Sequence, residues 1–271
     1  MTGPSTDLHP RADCTADADG RLTFALLAPV PDGARPALVR RPGKGRPEGE
    51  PHLLTPGPVT DDGRPTAVLP PLPALREGRW DVFLLTGPDG ARLRVRPRLR
   101  DVRALVDGAL RDRTAPVAVR VPYTTRDGYL AVRAWLRPAH AEGGPVALDD
   151  RALTVRARLH GAEPGAGAAA VLRLRGHPGT VRVLPVDVDG RDVSFTVPHP
   201  EPVDGGDHVW DVFVRPAEDA PPIRVGRLLD DLADRKHVHV YPRVTHRGAG
   251  VRPYYTVDND LSVAVTRAAD G

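Results

Sequence analysis

The sequence predicts an all-β protein made of two tandem β-sandwich domains from an internal duplication, each with one short helical crossover between its sheets. Three observations predict it: an internal repeat at a nearly constant offset, apolar residues that alternate with polar ones, and turn dipeptides between the alternating runs.

The repeat comes first. Trp80-Asp81-Val82-Phe83 recurs as Trp210-Asp211-Val212-Phe213, 130 positions later, and the match continues without a gap through Asp89/Asp219, Arg94-Val95/Arg224-Val225, Leu99/Leu229 and Asp101/Asp231. At an offset of 131, Pro122-Tyr123-Thr124-Thr125-Arg126-Asp127-Gly128 meets Pro253-Tyr254-Tyr255-Thr256-Val257-Asp258-Asn259, and Leu22-Thr23 meets Leu153-Thr154. A constant offset over so long a stretch marks a tandem duplication. The expected organisation is a flexible tail over 1–12, a first sandwich over 13–140, a linker over 141–148 read from Ala141-Glu142-Gly143-Gly144-Pro145, a second sandwich over 149–267, and a tail over 268–271.

Each unit reads as strands. Leu153, Val155, Ala157 and Leu159 alternate with polar residues, as do Leu172 and Leu174, Val193, Phe195 and Val197, Leu130 and Val132, and Leu261, Val263 and Val265. Period-2 alternation marks strands with one buried and one wet face. Asp-Gly pairs at Asp32, Asp62, Asp89, Asp127 and Asp189 supply tight turns, because these residues tolerate positive φ. The second unit replaces Asp127-Gly128 by Asp258-Asn259, and Asn is the next residue able to adopt a left-handed conformation. The only helical spacing is short: Leu99, Val102, Leu105 and Val106 in one unit, Leu228, Leu229 and Leu232 in the other. Long amphipathic helices between parallel strands, which a glycosyltransferase catalytic domain or a dinucleotide fold needs, are absent.

Composition narrows the function classes. The 271 residues carry 31 Pro, 27 Gly and only 4% aromatics, which fits many turns and short strands. No run is long and apolar enough for a membrane span, and no basic stretch followed by an apolar core suggests a signal peptide, so a cytoplasmic location is expected. Cys14 is the only cysteine, so no intrachain disulfide forms. Arginine supplies nearly all of the positive charge and the net charge is only +3, which argues against nucleic acid as a partner.

Candidate chemistry is sparse. Asp-x-Asp pairs that could hold a divalent metal occur at Asp17/Asp19, Asp187/Asp189 and Asp258/Asp260, but each lies in an expected turn, where Asp serves backbone hydrogen bonds. His237 and His239 would share one strand face, yet a zinc site needs three or four ligands. Ser194 and Ser262 alternate out of apolar strands without a nucleophile-elbow context and are expected at the surface. Gly43-Lys44-Gly45-Arg46 lacks the spacing of a phosphate loop. No metal or organic cofactor is implied.

Two features are more open. Arg92, Arg94, Arg96, Arg98 and Arg100 alternate, so up to five guanidiniums would line one strand face, either as a patch for a phosphate-bearing polymer or as a solvated face paired with acids. Tyr123, Tyr254 and Tyr255, each followed by an Asp turn, would line a groove with Thr125, Asp127, Thr256, Asp258 and Asn259. Trp80 and Trp210 fit core positions that pin two sheets together.

The stretch Pro253–Val263, with Trp210–Arg215 upstream, resembles the β-rich accessory region of actinobacterial cell-envelope transferases, the glycosyltransferases and CDP-glycerol-type polyol-phosphate transferases. There Pro-Tyr-Tyr-Thr commonly continues into Gly-Asn-Leu-Ser, whereas here Asp258-Asn259-Asp260-Leu261-Ser262 puts Asp for Gly and adds an Asp. The resemblance implies a tandem immunoglobulin-like β-sandwich module and no catalytic residues. Its implied partners are an envelope glycan, a polyol-phosphate polymer or a partner transferase, with oligomerisation as another use. Two further readings stay open: a small transferase acting on an activated sugar or polyol phosphate, and a purely structural interaction protein.

Overall fold

A computed structural model describes residues 9–267 apart from 28, 29, 88–90, 110, 202, 204 and 205. The described chain is almost entirely strand, with one five-residue helix, Arg103–Asp107. It divides into two compact units: 1–111, 118–136 and 229–233 form the first, and 112–117, 137–228 and 234–271 the second.

The first unit holds two sheets. One runs in the order Thr55–Pro56, Thr66–Leu69, Leu22–Leu27, Arg11–Ala16, Arg96–Asp101. The other runs Val117–Thr124, Leu130–Arg137, Gly78–Thr86, Arg35–Arg40, His52–Leu53, with Ala91–Arg94 also paired to Gly78–Thr86. Alternation sends Trp80, Val82 and Leu84 inward, where all three are buried. Burial of such side chains, at about 25 cal/mol per Å² of apolar surface, is the main term holding the sheets together.

In the second unit His208–Arg215 pairs with both Ala169–Leu174 and Leu261–Arg267, and Leu261–Arg267 pairs with Ala249–Tyr255. Asp192–Pro198, Ala152–His160 and His140–Leu148 form the opposing set. Trp210, Val212, Val214, Phe195, Leu153 and Tyr255 meet in one core. Ile223–Gly226 joins the two sets: Ile223 and Arg224 pair with His208–Arg215, then Val225 and Gly226 run parallel to His140–Leu148. The first unit makes the same switch at Val95, whose N–H donates to Val82 O at 3.0 Å while Arg96 N–H donates to Pro10 O at 2.8 Å.

The Asp-Gly turns at Gly33, Gly63, Gly128 and Gly190 all adopt positive φ, and Asn259 does so at 60°. The turn at Asp89-Gly90 lies outside the described residues.

Four expectations need correction. Ala141–Pro145 is no linker but part of the strand His140–Leu148, the counterpart of Arg11–Ala16, and its glycines allow close backbone approach: a Cβ on Gly143 would lie 3.3 Å from Gly226 O. Arg11 and Ala12 belong to a strand rather than a tail, while 1–8 and 268–271 lie outside the described residues. The second helical crossover does not form; side chains take the backbone donors a helix would use, Glu142 Oε2 accepting from Leu228 N at 2.8 Å and Asp230 Oδ1 from Leu232 N at 3.0 Å. In the first crossover Leu99 lies in the strand Arg96–Asp101 and is exposed; the helix starts only at Arg103.

Candidate functional site

The expected arginine face is split by the sheet switch. Arg92 and Arg94 lie on Ala91–Arg94, Arg96, Arg98 and Arg100 on Arg96–Asp101 in the other sheet. Most of these guanidiniums are occupied. Arg92 pairs with Glu48, Arg98 grips Asp13 through two bonds of 2.8 and 2.6 Å, and Arg100 donates to Pro122 O. Arg98 and Arg64 hold the Asp13 carboxyl well below the usual carboxylate range, against the opposing effect of burial. Arg94 reaches Asp127 at 2.5 Å and lies 3.9 Å from the Tyr129 ring centroid, with Arg96 at 5.4 Å from the same ring.

The tyrosine–aspartate turns are the same structure twice. In the first unit Thr125 N donates to Tyr129 O at 2.8 Å, Gly128 N to Thr125 O at 2.9 Å, and Thr125 Oγ1 accepts from Tyr129 N at 2.9 Å. In the second, Thr256 N donates to Asp260 O at 2.8 Å and Asn259 N to Thr256 O at 3.0 Å, while Thr256 Oγ1 accepts from Asp258 N and Asp260 N, each at 3.2 Å. Thr125, Tyr255 and Asn259 are buried, so these three hold the turns and the core rather than face a groove. Asn259 Oδ1 accepts from Arg235 N at 3.0 Å. Asp127 and Asp258 are exposed; the Thr125 hydroxyl and then Arg94 depress the Asp127 carboxyl to about 2. Tyr123 and Tyr254 are half-buried, and burial pushes the Tyr123 hydroxyl up.

Two of these candidates, Arg94 and Tyr254, join clusters built on residues the sequence reading did not single out. Asp81 and Asp211, one residue after the repeated tryptophans, point outward from their strands. Arg41 grips Asp81 at 2.9 and 2.7 Å, and Arg94 approaches it at 3.5 Å. Arg175 grips Asp211 at 3.3 and 2.5 Å, and Arg224 donates to it at 2.8 Å. Arg41 and Arg175 are counterparts, since each donates its backbone N–H to the carbonyl two residues before the aspartate, at Arg79 and Val209. Burial would raise the Asp211 carboxyl, but hydrogen bonds from Arg175 and Arg224 outweigh it and leave it lowered. Register then places Tyr254 beside it: Asp211 pairs with Ser262, and Ser262 with Tyr254. Arg175 donates to Tyr254 Oη at 3.4 Å. Ser262, expected at the surface, is buried and donates to Asp211 at 2.9 Å. The identities Asp81/Asp211 and Arg94/Arg224 carried half of this signal; Arg41 and Arg175 stand 134 apart, off the repeat offset, and were invisible.

The other candidates are structural. Asp17 accepts from Asp19 N and Arg21 N as a turn residue, and Asp260 is taken by Arg137 at 2.7 Å and by Arg224 at 3.7 Å. His237 and His239 lie in a turn, not on a strand. Among the described residues no three His, Cys, Asp or Glu side chains gather as metal ligands would. Cys14 is buried in Arg11–Ala16, and burial pushes its thiol up to about 12, far from a reactive thiolate. No helix among the described residues is long and apolar enough to cross a membrane.

No family model and no curated protein matches this sequence. Among solved structures, S. aureus TarS is similar at 13% identity and a TM-score of 0.37, over 62% of this chain and 32% of that one. A structure of S. aureus TarS 217–571 is similar at 14% identity and a TM-score of 0.36, over 61% of this chain and 50% of that one. The match thus spans half or less of the length of either TarS structure. A chimeric titin Z1Z2 is similar at 12% identity and a TM-score of 0.18, over 82% of this chain and 94% of that one.

Proposed function

We propose that this chain is a non-catalytic tandem β-sandwich module that binds an acidic cell-envelope polymer of the polyol-phosphate or glycan type, in the service of a partner transferase. The observation that carries this reading is the cluster of two arginines around one outward-facing aspartate, present once in each unit at equivalent positions. Ion pairs at a sheet surface contribute only about 0–1 kcal/mol each, so stability alone gives little reason to keep the arrangement twice. Guanidiniums held in place by a carboxylate present their remaining N–H groups in a fixed fork, which suits phosphate and carboxylate oxygens. The resemblance of Trp210–Arg215 and Pro253–Val263 to envelope-transferase accessory regions supports the envelope as the setting.

A transferase built on Asp258/Asp260 is less favoured, because Asp260 is engaged by Arg137 and Arg224 instead of standing free for a metal.

Calorimetric titration with and without Mn²⁺ tests the reading. The expected result is saturable binding of a poly(glycerol phosphate) or envelope glycan, and none of CDP-glycerol or UDP-sugars. Binding of a nucleotide donor alone would overturn it in favour of a transferase.

A further inference from the structure

The two units differ on the outer face around this cluster. In the second unit that face carries Arg173, Arg215 and Arg252, and the aliphatic stem of Arg243 lies across Gly250, whose Cβ would meet Arg243 Cδ at 2.5 Å. None of these four has a carboxylate partner among the described residues, and Arg173, Arg243 and Arg252 are exposed. Their counterparts in the first unit are apolar where the repeat defines them: Val39 pairs with Asp81 as Arg173 pairs with Asp211, Leu85 corresponds to Arg215, and Val121 to Arg252. Val39 and Val121 are buried. In the first unit the same outer face keeps one exposed arginine without a carboxylate partner among the described residues, Arg35 opposite Leu85, so the group of such arginines around the aspartate belongs to the second unit.

We infer that the outer face of the second unit, around Arg173, Arg215, Arg243 and Arg252, is the surface that engages a linear polyanion without aromatic bases. This deepens the reading above and rests on it. Register sets the spacing. Arg173 and Arg215 lie on adjacent strands four residues apart, and Arg252 lies three strands from Arg173. At roughly 3.3 Å per residue and 4.8 Å per strand these backbone positions lie roughly 15 to 20 Å apart, which suits successive charges along a chain better than one small ion. Aromatic bases have little to stack on here. Two rings share this face: Phe213 already has guanidiniums 4.8 Å (Arg173) and 5.0 Å (Arg224) from its centroid, and Tyr254 is half-buried with its hydroxyl held by Arg175 at 3.4 Å.

The test compares the parent protein with R173Q/R252Q, R173K/R252K and R92Q, titrated with a poly(glycerol phosphate) of defined length at several salt concentrations. Loss of two phosphate contacts predicts about tenfold weaker binding for R173Q/R252Q and a salt slope smaller by about two. R173K/R252K keeps the charge and retains most of the binding, and R92Q stays within about twofold of the parent because its charge is not part of the contact. Glycerol phosphate itself gives no saturable binding. A parent that binds the polymer while R173Q/R252Q binds it equally well overturns this inference and leaves the proposed function standing. A parent silent towards every polymer overturns both. An oligothymidylate of equal charge that binds more tightly than the polymer overturns the choice of ligand.

Discussion

Asn259 is the one asparagine in the chain, and it stands where the first unit has Gly128. The position needs positive φ, 60° at Asn259 and 84° at Gly128. Asn tolerates that conformation and adds what glycine lacks, an oxygen for the buried Arg235 N–H. Asn259→Ala therefore loses twice, through about 1–2 kcal/mol of left-handed strain and about 1–3 kcal/mol for an unsatisfied buried donor. Asn259→Gly removes only the second. Urea unfolding of both variants is expected to rank Ala below Gly below the parent, and an Ala variant as stable as the parent would contradict the buried bond. The conformation was legible from the Asp-Asn dipeptide and its register with Asp-Gly. The hydrogen bond was not, because Arg235 is brought in by a segment that carries no repeat signal.

Alternation of apolar and polar residues marks true strands in Ala152–His160 and Asp192–Pro198, though not over 237–240. His140–Leu148 was misread because Gly143, Gly144 and Pro145 are the residues a linker would also use. Their cause is steric: Gly143 lies against the parallel strand Ile223–Gly226, and a Cβ there would also come 3.4 Å from Tyr255 Oη. Gly143→Ala is expected to cost about 1–3 kcal/mol through overpacking against backbone. Gly49→Ala, in the loop before His52 with nothing within 4 Å, is expected to stay within about 0.5 kcal/mol of the parent. Equal urea midpoints for the two variants would restore the linker reading. The arginine stretch failed at the same scale: alternation holds across Arg92–Arg100, but the chain changes sheets at Val95, so one sequence pattern serves two surfaces.

For the whole molecule the clearest dependence is on pH. His160 is buried and its Nδ1 accepts from Arg113 N at 3.2 Å, which requires the neutral ring. Burial and then His140 lower its pKa from the ordinary 6.5, Glu142 and Asp112 oppose this, and Arg158 adds to it. The unfolded chain thus takes up a proton that the folded chain resists. Stability is complete above about pH 6.5 and declines as the pH falls through the lower folded value. Urea midpoints are expected to drop between pH 7.5 and 5.5, with a shallower drop in His160→Gln; an unchanged slope in that variant would assign the dependence to other groups. The carboxylates held low by hydrogen bonds, Asp13 by Arg98 and Asp127 by the Thr125 hydroxyl and then Arg94, act in a separate window, because their contribution is lost only on further acidification.

The sequence by itself determined the strand-rich class, the duplication, the turn positions and the inward tryptophans. Each of these rests on local periodicity or on comparison of the chain with itself, and both are properties of one dimension. Tertiary structure decided which charges are neutralised. Asp81 and Asp211 are enclosed by arginines on or just after the neighbouring strands, Arg92–Arg100 is divided between sheets, and Arg173, Arg215, Arg243 and Arg252 are left without a carboxylate partner among the described residues. Pairing depends on distances across strands, and those are set by sheet order and register, which no spacing along the chain encodes.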